Sequence, residues 1–344
     1  MADNEGEVKV DFRKLERTWI VAEIGVNHEG HASVAADLIR KAAECGADAV
    51  KFQTFRAEHY VSTVQLERRE RARRFQLPYE TFRELADIAQ ECGVTFFSTP
   101  LHVDDVDFLD EIVSLFKVSS GDLTHLSLIR HIATKGKPMI ISTGLGTRGE
   151  IQAAIEAVLD VWPDAADKGK LVLLHCVAAY PTPAEEANLS NIAWLRETFG
   201  LPVGYSDHTL GTKACELAVA CGAVVVEKHF TYRKENQTFH DHALSADPQD
   251  MRELVGVVRQ AEIYLGGRDR KRTTSEQKML LHMRRSVGAA VDIPAGVPVL
   301  RQWLTYLRPA WGLPPEKLDA VVGKPLRRPV PAGDLIRVED LERQ

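Results

Sequence analysis

Eight short apolar segments, alternating with amphipathic ones between residues 19 and 265, restrict this chain to a small number of folds. Most are near-continuous runs of Val, Ile, Leu and Phe that end in polar residues, a pattern typical of parallel strands buried on both faces. The segments are Trp19–Gly25, Ala49–Thr54, Val94–Pro100, Leu115–Gly121, Pro138–Gly144, Leu171–Val177, Pro202–His208 and Val224–Phe230. Eight such units in roughly 250 residues predict an α/β protein with a (β/α)8 TIM barrel.

The segments between the strands carry helical patterns. The clearest are Ala32–Cys45, Tyr79–Cys92, Glu150–Trp162 and Thr212–Cys221. Three helices are predicted to end at a Cys-Gly pair (Cys45, Cys92 and Cys221), where glycine accepts the left-handed conformation and the cysteine packs as a small apolar residue. A doubly wound open sheet is the alternative, but the first turn lacks the glycine-rich phosphate loop expected of that fold.

After the predicted barrel, the alternation of apolar and amphipathic segments stops. We predict a catalytic barrel over residues 1–266, a charged linker over 267–283 and a small, mostly β domain over 284–344. Ile293–Gly296 and Val330–Gly333 repeat an apolar-Pro-Ala-Gly pattern in that domain. The charged segment Arg56–Pro78 is predicted to be a long, mobile loop that could act as a lid over the barrel.

Composition excludes several classes of function. The net charge of −6 offers no electrostatic footprint for nucleic acid. No apolar run approaches the ~20 residues that span a membrane, so no membrane association is expected. The five cysteines are scattered without a Cys-x-x-Cys pair, and the polar first residues lack a secretory pattern; both features favour a cytoplasmic enzyme.

Polar residues are concentrated at the carboxyl ends of the predicted strands, where TIM barrels build their active sites. We therefore expect a shared site at that end of the barrel. The residues in question are Glu23, Asn27, His28, Lys51, Gln53, Ser98, Thr99, Lys117, Ser119, Ser120, Asp122, Ser142, Thr143, His175, Tyr180, Ser206, Asp207, His208, Glu227, Lys228 and His229.

Two lysines on different strands, Lys51 and Lys117, with hydroxyl groups nearby suit a phosphate or carboxylate anion. The alternative is that each lysine forms a structural ion pair with Glu23 or Asp122. Lys228 could instead be a Schiff-base lysine, but alternation along the strand predicts that it points outward if His229 points inward.

His208 and His229, at the ends of neighbouring strands, are candidate ligands of one divalent ion. Without a third His or a Cys beside them, we expect an open site with bound waters, for Mn²⁺ or Mg²⁺. Asp241, in the segment after the last strand, could orient a metal-bound water.

These strand ends closely resemble the sialic acid synthases, also called nonulosonate synthases, over essentially the whole chain. The matching segments are Ala22–His28, Val50–Thr54, Ser98–Pro100, Lys117–Asp122, Leu174–Cys176, Tyr180–Pro183, Ser206–Thr209 and Glu227–Phe230. Arg284–Leu341 resembles the C-terminal antifreeze-like (SAF) domain of that family, in which Leu307–Pro309 matches its arginine-bearing segment.

The resemblance implies that phosphoenolpyruvate condenses with the open-chain aldehyde of an N-acylated hexosamine, giving phosphate and a nine-carbon 2-keto-3-deoxy sugar acid. By the same resemblance, phosphoenolpyruvate would be held by Lys51, Thr99, Lys117, Ser120, Ser142 and Ser206. His208 and His229 would bind the metal that polarises the aldehyde, with Asp241 positioning its water. Glu23 would stabilise the cationic intermediate, and Gln53, Asp122 and Tyr180 would line the sugar side.

The family also implies a domain-swapped homodimer, in which Arg308 of the small domain contacts the sugar's N-acyl group across the dimer. Four departures from the family pattern concern the sugar more than the anion or the metal. Ala178 stands where Asn is common, Asp122 replaces Glu, Trp311 lies in a usually glycine-rich stretch, and His240 stands where Pro is common.

Two other functions remain open from the sequence. One is condensation of phosphoenolpyruvate with a phosphorylated aldose, which needs a second cluster of basic residues that the strand ends do not supply. The other is a non-catalytic sugar-binding scaffold, which loss of Glu23, a lysine or a metal histidine would have favoured; none of these is lost.

Overall fold

The N-terminal part of the chain folds into a closed barrel of eight parallel strands, which confirms the predicted TIM barrel. A computed structural model describes residues 10–235, 237, 239–267 and 269–341. The order around the barrel is the order along the chain, and β1 closes it by pairing with β8. The strands are β1 (Trp19–Gly25), β2 (Ala49–Thr54), β3 (Thr95–Pro100), β4 (Phe116–Val118), β5 (Met139–Ser142), β6 (Leu171–Cys176), β7 (Val203–Asp207) and β8 (Val225–His229).

Helices connect the strands and cover the outside of the barrel. They are α1 (Ala32–Glu44), α2 (Ala57–Tyr60), α3 (Leu66–Phe75), α4 (Tyr79–Glu91), α5 (Val103–Leu109), α6 (Leu126–Ala133), α7 (Arg148–Leu159), α8 (Asn191–Phe199), α9 (Lys213–Ala220), α10 (Asp241–Leu244) and α11 (Pro248–Leu265). The predicted Cys-Gly helix ends are confirmed, since Gly46, Gly93 and Gly222 have φ values of 88°, 71° and 95°. Cys45 is buried, and Cys92 and Cys221 pack against the core.

The strands are buried because helices cover one side and the barrel interior the other. All six residues of β6, for example, are buried, as predicted from its unbroken apolar sequence. The described residues include no helix that combines the length and the apolar character needed to cross a membrane.

The prediction of one long mobile loop over Arg56–Pro78 is wrong. Most of this segment is helical, as α2 and α3 with a short 3₁₀ turn over Thr63–Gln65. The sequence of α3, LERRERARRF, consists mainly of strong helix formers, and its charges belong to a solvated helical face. Ala72 anchors the helix by packing with Phe55, Ala57 and Val61 in a small apolar cluster.

The chain divides into two compact units, residues 1–266 and 267–344. In the second unit, the expected linker is helical over Thr274–Met283, here α12. Its start is a capping box, in which the Thr273 hydroxyl accepts from the Glu276 amide at 3.1 Å and the Glu276 carboxylate accepts from the Thr273 amide at 2.8 Å. This Thr-x-x-Glu pattern is a typical helix start, and the helix forms although the basic residues before it predict a linker.

The rest of the second unit is built from short strands and turns around its own apolar cluster. Antiparallel strands β9 (Ser286–Ala289) and β10 (Leu304–Leu307) form its two-stranded sheet. The two repeated apolar-Pro-Ala-Gly motifs pair with each other, because Ile293 and Val330 exchange two backbone hydrogen bonds of 2.9 Å.

Gly204, in the middle of β7, provides a test of how tightly the barrel is packed. A Cβ at this position would lie 2.5 Å from the Val225 carbonyl oxygen and 2.6 Å from Leu174 Cδ2. Gly204→Ala should therefore lower the free energy of unfolding by about 1–3 kcal/mol, measured by urea denaturation. Gly149→Ala is the matched control, since no heavy atom lies within 4 Å of its added Cβ in α7. Equal stability of the two variants would contradict close packing at Gly204.

Candidate active site

A cavity of about 740 Å³ opens at the carboxyl ends of the barrel strands. Every strand contributes at least one lining residue. The structure brings together all but one of the residues to which the sequence assigned a catalytic, substrate-binding or metal-binding role: Glu23, Lys51, Gln53, Thr99, Lys117, Ser120, Asp122, Ser142, Tyr180, Ser206, His208, His229 and Asp241. The remaining one, Arg308, follows β10 in the second unit, where it is exposed, and its role stays a prediction.

Several polar residues near the strand ends do not line this cavity, so the expectation that all of them share one site is wrong. Side chains alternate between the two faces of a strand, and those on the outer face bond to the surrounding structure. Ser98 bonds to Thr54 at 2.7 Å, His175 to the Ala187 carbonyl at 2.7 Å and Thr143 to the Leu174 carbonyl at 2.9 Å. Asn27 and His28, just beyond β1, are buried outside the cavity.

Lys228 follows the same alternation and does not line the cavity. Its Nζ lies 2.7 Å from Asp207 Oδ2, and both side chains are buried on the outer face of the barrel. Asp207 also accepts a hydrogen bond of 2.9 Å from the Tyr205 hydroxyl. The fully paired amine, directed away from the cavity, argues against a Schiff-base lysine.

Two lysines and two glutamates form a buried charge cluster at the bottom of the cavity. Lys51 Nζ lies 3.1 Å from Glu23 Oε2 and 3.4 Å from Glu227 Oε2, and Lys117 Nζ lies 3.7 Å from Glu227 Oε1. The Lys51–Glu23 ion pair, which was the alternative to an anion site, therefore occurs. Both residues nevertheless line the cavity. Lys117 pairs with Glu227, not with Asp122.

Glu227 is the central residue of this cluster, although the sequence assigned it no role beyond its place among the strand-end residues. It contacts both lysines and accepts a hydrogen bond of 2.9 Å from the Ser206 hydroxyl. The signal was available, because Glu227 is two residues before His229 and must share its face of β8.

Burial and the neighbouring charges set the protonation of this cluster. Burial opposes the charge of Glu227, but Lys117 and Lys51 lower its pKa to about 2. Burial, with the adjacent Glu227 carboxylate, raises the pKa of Glu23. Burial also lowers the pKa of Lys117 to about 8. Glu227 is thus the permanent counterion, whereas Glu23 and Lys117 are the groups that change charge most easily.

Two buried hydroxyls extend the cluster along the cavity wall. Thr99 Oγ1 and Ser142 Oγ are buried and have no hydrogen-bond partner among the described residues. A buried hydroxyl without a partner costs free energy unless a ligand or water satisfies it. Together with the lysines, these hydroxyls suit an oxyanion.

The two candidate metal ligands lie side by side at one side of the cavity, with ring centroids 5.4 Å apart. His208 Nδ1 bonds to the Val177 carbonyl at 2.7 Å, so Nδ1 carries the proton and Nε2 is left as a lone-pair donor. His229 Nδ1 is buried without a partner among the described residues, and burial holds the pKa of His229 well below its usual value. The Nε2 lone pair of His208 and the unpartnered Nδ1 of His229 fit a divalent ion.

Tyr180 and Asp241 complete this side of the cavity. The Tyr180 ring stacks on His208 with a centroid distance of 4.1 Å, while 51% of the residue stays exposed at the mouth. Asp241 is buried, and burial raises its pKa despite a 2.5 Å contact with His240. Burial therefore makes the Asp241 carboxylate easier to protonate than an exposed aspartate.

The rim of the cavity carries two arginines that lie on a helix and are therefore missed by the strand-end pattern. Arg68 and Arg71 of α3 line the cavity, and neither forms an ion pair with an acidic side chain in the described part of the chain. Arg68 donates 3.3 Å hydrogen bonds to the Tyr60 hydroxyl and to Gln65, and Arg71 lies over the Phe239 ring. Their positive charges are free to meet an anion at the mouth.

Comparison with known proteins agrees with this architecture. The NeuB family matches residues 38–270, and the SAF domain matches residues 284–342. An N,N'-diacetyllegionaminic acid synthase of Campylobacter jejuni is 36% identical, over 94% of this chain and 100% of the relative. An N-acetylneuraminate-9-phosphate synthase of mouse is 34% identical, over 94% of this chain and 92% of the relative.

A solved structure shows the same fold. The N-acetylneuraminic acid synthetase of Leptospira borgpetersenii superposes with a TM-score of 0.72 and 32% sequence identity. The superposition covers 76% of this chain and 90% of that one.

The lowered pKa of Lys117 predicts a pH-dependent anion site. Sulfate stays a dianion across the relevant range, so its affinity should follow the charge of Lys117 and fall about tenfold between about pH 7 and pH 9. Isothermal titration calorimetry of the ligand-free protein measures this decline. Lys117→Arg keeps the positive charge throughout and should flatten it. A sulfate affinity that is constant over this range in the wild type would refute the assignment.

Proposed function

The chain belongs to the NeuB family, and we propose that it is a nonulosonate synthase that joins phosphoenolpyruvate to the aldehyde of an N-acylated hexosamine and releases phosphate. One observation carries the proposal. The two buried lysines and the imidazoles of His208 and His229 face a single cavity, with Glu23 and Asp241 among its other lining residues. The lysines suit phosphoenolpyruvate, which carries three negative charges, and the imidazoles suit a metal ion that activates a carbonyl group.

Phosphoenolpyruvate would occupy the charge cluster. Lys51 and Lys117 would neutralise its phosphate and carboxylate, while the unpartnered hydroxyls of Thr99 and Ser142 would donate hydrogen bonds to them. Ser120 and Ser206 would contribute from the neighbouring strands.

The carbon–carbon bond would form between C3 of phosphoenolpyruvate and the aldehyde carbon, leaving C2 cationic and the aldehyde oxygen as an alkoxide. Water then adds to C2, one of its protons passes to the alkoxide, and the other leaves with the phosphate when the C2–oxygen bond breaks. Glu23 is the best-placed carboxylate to stabilise the cationic C2, and its raised pKa suits the transfer of a proton from the attacking water.

A divalent ion, Mn²⁺ or Mg²⁺, would be held by His208 and His229 and would supply a Lewis acid for the aldehyde oxygen. The hydrogen bond from His208 to the Val177 carbonyl fixes the orientation of that ligand. Asp241 lines the same side of the cavity and would orient a water molecule there.

Gln53, Asp122 and Tyr180 would line the sugar side. Gln53 donates to Glu23 at 3.3 Å, and Asp122 accepts a 2.5 Å hydrogen bond from Ser119. Family membership further supports a domain-swapped homodimer in which Arg308 of one chain reaches the sugar's N-acyl group in the partner's barrel. Asp122 and Trp311 would then shape the choice of sugar.

The proposal predicts metal-dependent phosphate release from phosphoenolpyruvate and an unphosphorylated N-acyl hexosamine. EDTA should abolish the release and Mn²⁺ should restore it. His229→Ala should lower kcat about a hundredfold or more, because a Lewis acid contributes several kcal/mol to such a step, with little change in the KM for phosphoenolpyruvate. His131→Gln, on the exposed face of α6, is the control.

Two outcomes would contradict this assignment. Full activity in EDTA would show that the reaction needs no metal ion. Tight sugar binding without turnover on any aldehyde would favour the non-catalytic sugar-binding scaffold.

The rim arginines favour a second candidate, in which the sugar is phosphorylated. The strand ends by themselves disfavour a phosphorylated sugar, because they supply no second cluster of basic residues. Arg68 and Arg71 supply one from α3, and they carry no counterion within the described residues. Two unpaired guanidinium groups at the mouth fit the phosphate of a hexosamine 6-phosphate.

Replacing both arginines separates the two candidates. If the sugar carries a phosphate, Arg68→Gln with Arg71→Gln should raise the KM for the phosphorylated sugar about tenfold or more, since hydrogen bonds to charged groups are lost. The KM for the unphosphorylated sugar should not change. Arg73→Gln is the matched control, because Arg73 on the same helix pairs with Glu58 and Glu70. Equal effects on both sugars would eliminate a phosphate-specific role for the rim.

A further inference from the structure

We propose that His59, His102 and Asp104 form a second metal site, separate from the barrel cavity, which binds a transition-metal ion such as Zn²⁺. Each of the three residues offers one donor atom, and these atoms all lie within 4.8 Å of one another. None of the three lines the catalytic cavity. This inference does not depend on the proposed reaction.

The spacing of the donor atoms fits a tetrahedral ion. His102 Nδ1 lies 3.4 Å from Asp104 Oδ2, and His59 Nδ1 lies 3.8 Å from the same oxygen. Bonds of about 2.0–2.1 Å to a tetrahedral Zn²⁺ place neighbouring donor atoms about 3.3 Å apart. The observed separations therefore need only small side-chain adjustments to enclose an ion.

The three residues lie in structured segments that follow two neighbouring strands, β2 and β3. His59 belongs to α2, which follows β2 and is anchored by buried Ala57 and Val61. His102 is the N-cap of α5, which follows β3, and Asp104 lies in its first turn. The two imidazole rings already face each other, with centroids 4.2 Å apart.

The capping bond of His102 can be exchanged for a metal bond. His102 Nδ1 accepts a long hydrogen bond of 3.3 Å from the Asp104 amide, and a bond of this length is weak enough to be replaced by a metal bond.

The chemistry of the donors selects the kind of ion. Two imidazoles and one carboxylate suit Zn²⁺, Co²⁺ or Ni²⁺, whereas Mg²⁺ and Ca²⁺ prefer oxygen ligands. The side chains are about one-third to one-half exposed, so a water molecule can occupy the fourth position and the ion can enter from solvent.

A bound ion would tie two segments of the cavity rim together. Tyr60, next to His59, and Leu101, next to His102, both line the cavity. The Tyr60 hydroxyl also accepts a hydrogen bond from Arg68 of α3. An ion at this second site should therefore restrict the motion of the segment from α2 to α3.

The test measures Zn²⁺ bound by the full-length, tag-free protein in equilibrium dialysis, because a polyhistidine tag binds the same ions. Wild type should bind about one equivalent at this site, in addition to any ion held in the barrel cavity. His59→Gln and Asp104→Asn should each lose about one equivalent relative to wild type. His131→Gln is the matched control, since His131 pairs with Asp107 at 2.7 Å without a second histidine, and it should lose nothing.

A second readout follows the rim itself. In hydrogen exchange, Zn²⁺ should slow exchange of the amides of residues 57–75 in wild type but not in His59→Gln. Equal Zn²⁺ stoichiometry in wild type and both variants would overturn the proposal. An equal loss in His131→Gln would also overturn it, because it would indicate non-specific surface binding.

Discussion

The alternation of side chains along the strands of a closed barrel is the constraint on which the site depends. On β8, Glu227 and His229 face the cavity, whereas Lys228 between them is buried on the outer face against Asp207. A shift of one residue in any strand would exchange these two environments. Because the barrel closes by pairing β1 with β8, each register is fixed by two neighbours, and the polar groups of all eight strands meet at one rim.

Charge balance is the second constraint, and it follows from burial. Two lysines in a cavity of low dielectric would repel each other strongly without counterions. Glu23 and Glu227 provide these counterions, but unequally: the lysines lower the pKa of Glu227, while burial and the adjacent Glu227 raise that of Glu23. The cavity therefore holds one permanent and one adjustable negative charge. The adjustable one, Glu23, is the carboxylate that we propose to stabilise the cationic C2.

The rim formed by α2, α3 and the start of α5 is built differently from the barrel. Its core is a small apolar cluster around Phe55 and Ala72, and most of its surface is charged. Arg68 and Arg71 reach the cavity from this rim, and the proposed second metal site joins its segments. Under the proposed function, substrate choice would lie in connections outside the strands, as is usual where one barrel scaffold serves several substrates.

The sequence by itself determined the barrel, its strand boundaries to within a few residues, and most of the residues that share the cavity, although it also assigned to the site several strand-end residues that lie outside the cavity. Periodicity and the apolar runs sufficed for this, because strands buried on both faces and polar strand ends leave a local signal. Tertiary structure alone decided which lysine pairs with which glutamate, why Glu227 is central, and how α3 brings Arg68 and Arg71 to the mouth. Those contacts join residues distant along the chain, and no local pattern encodes the distance between them.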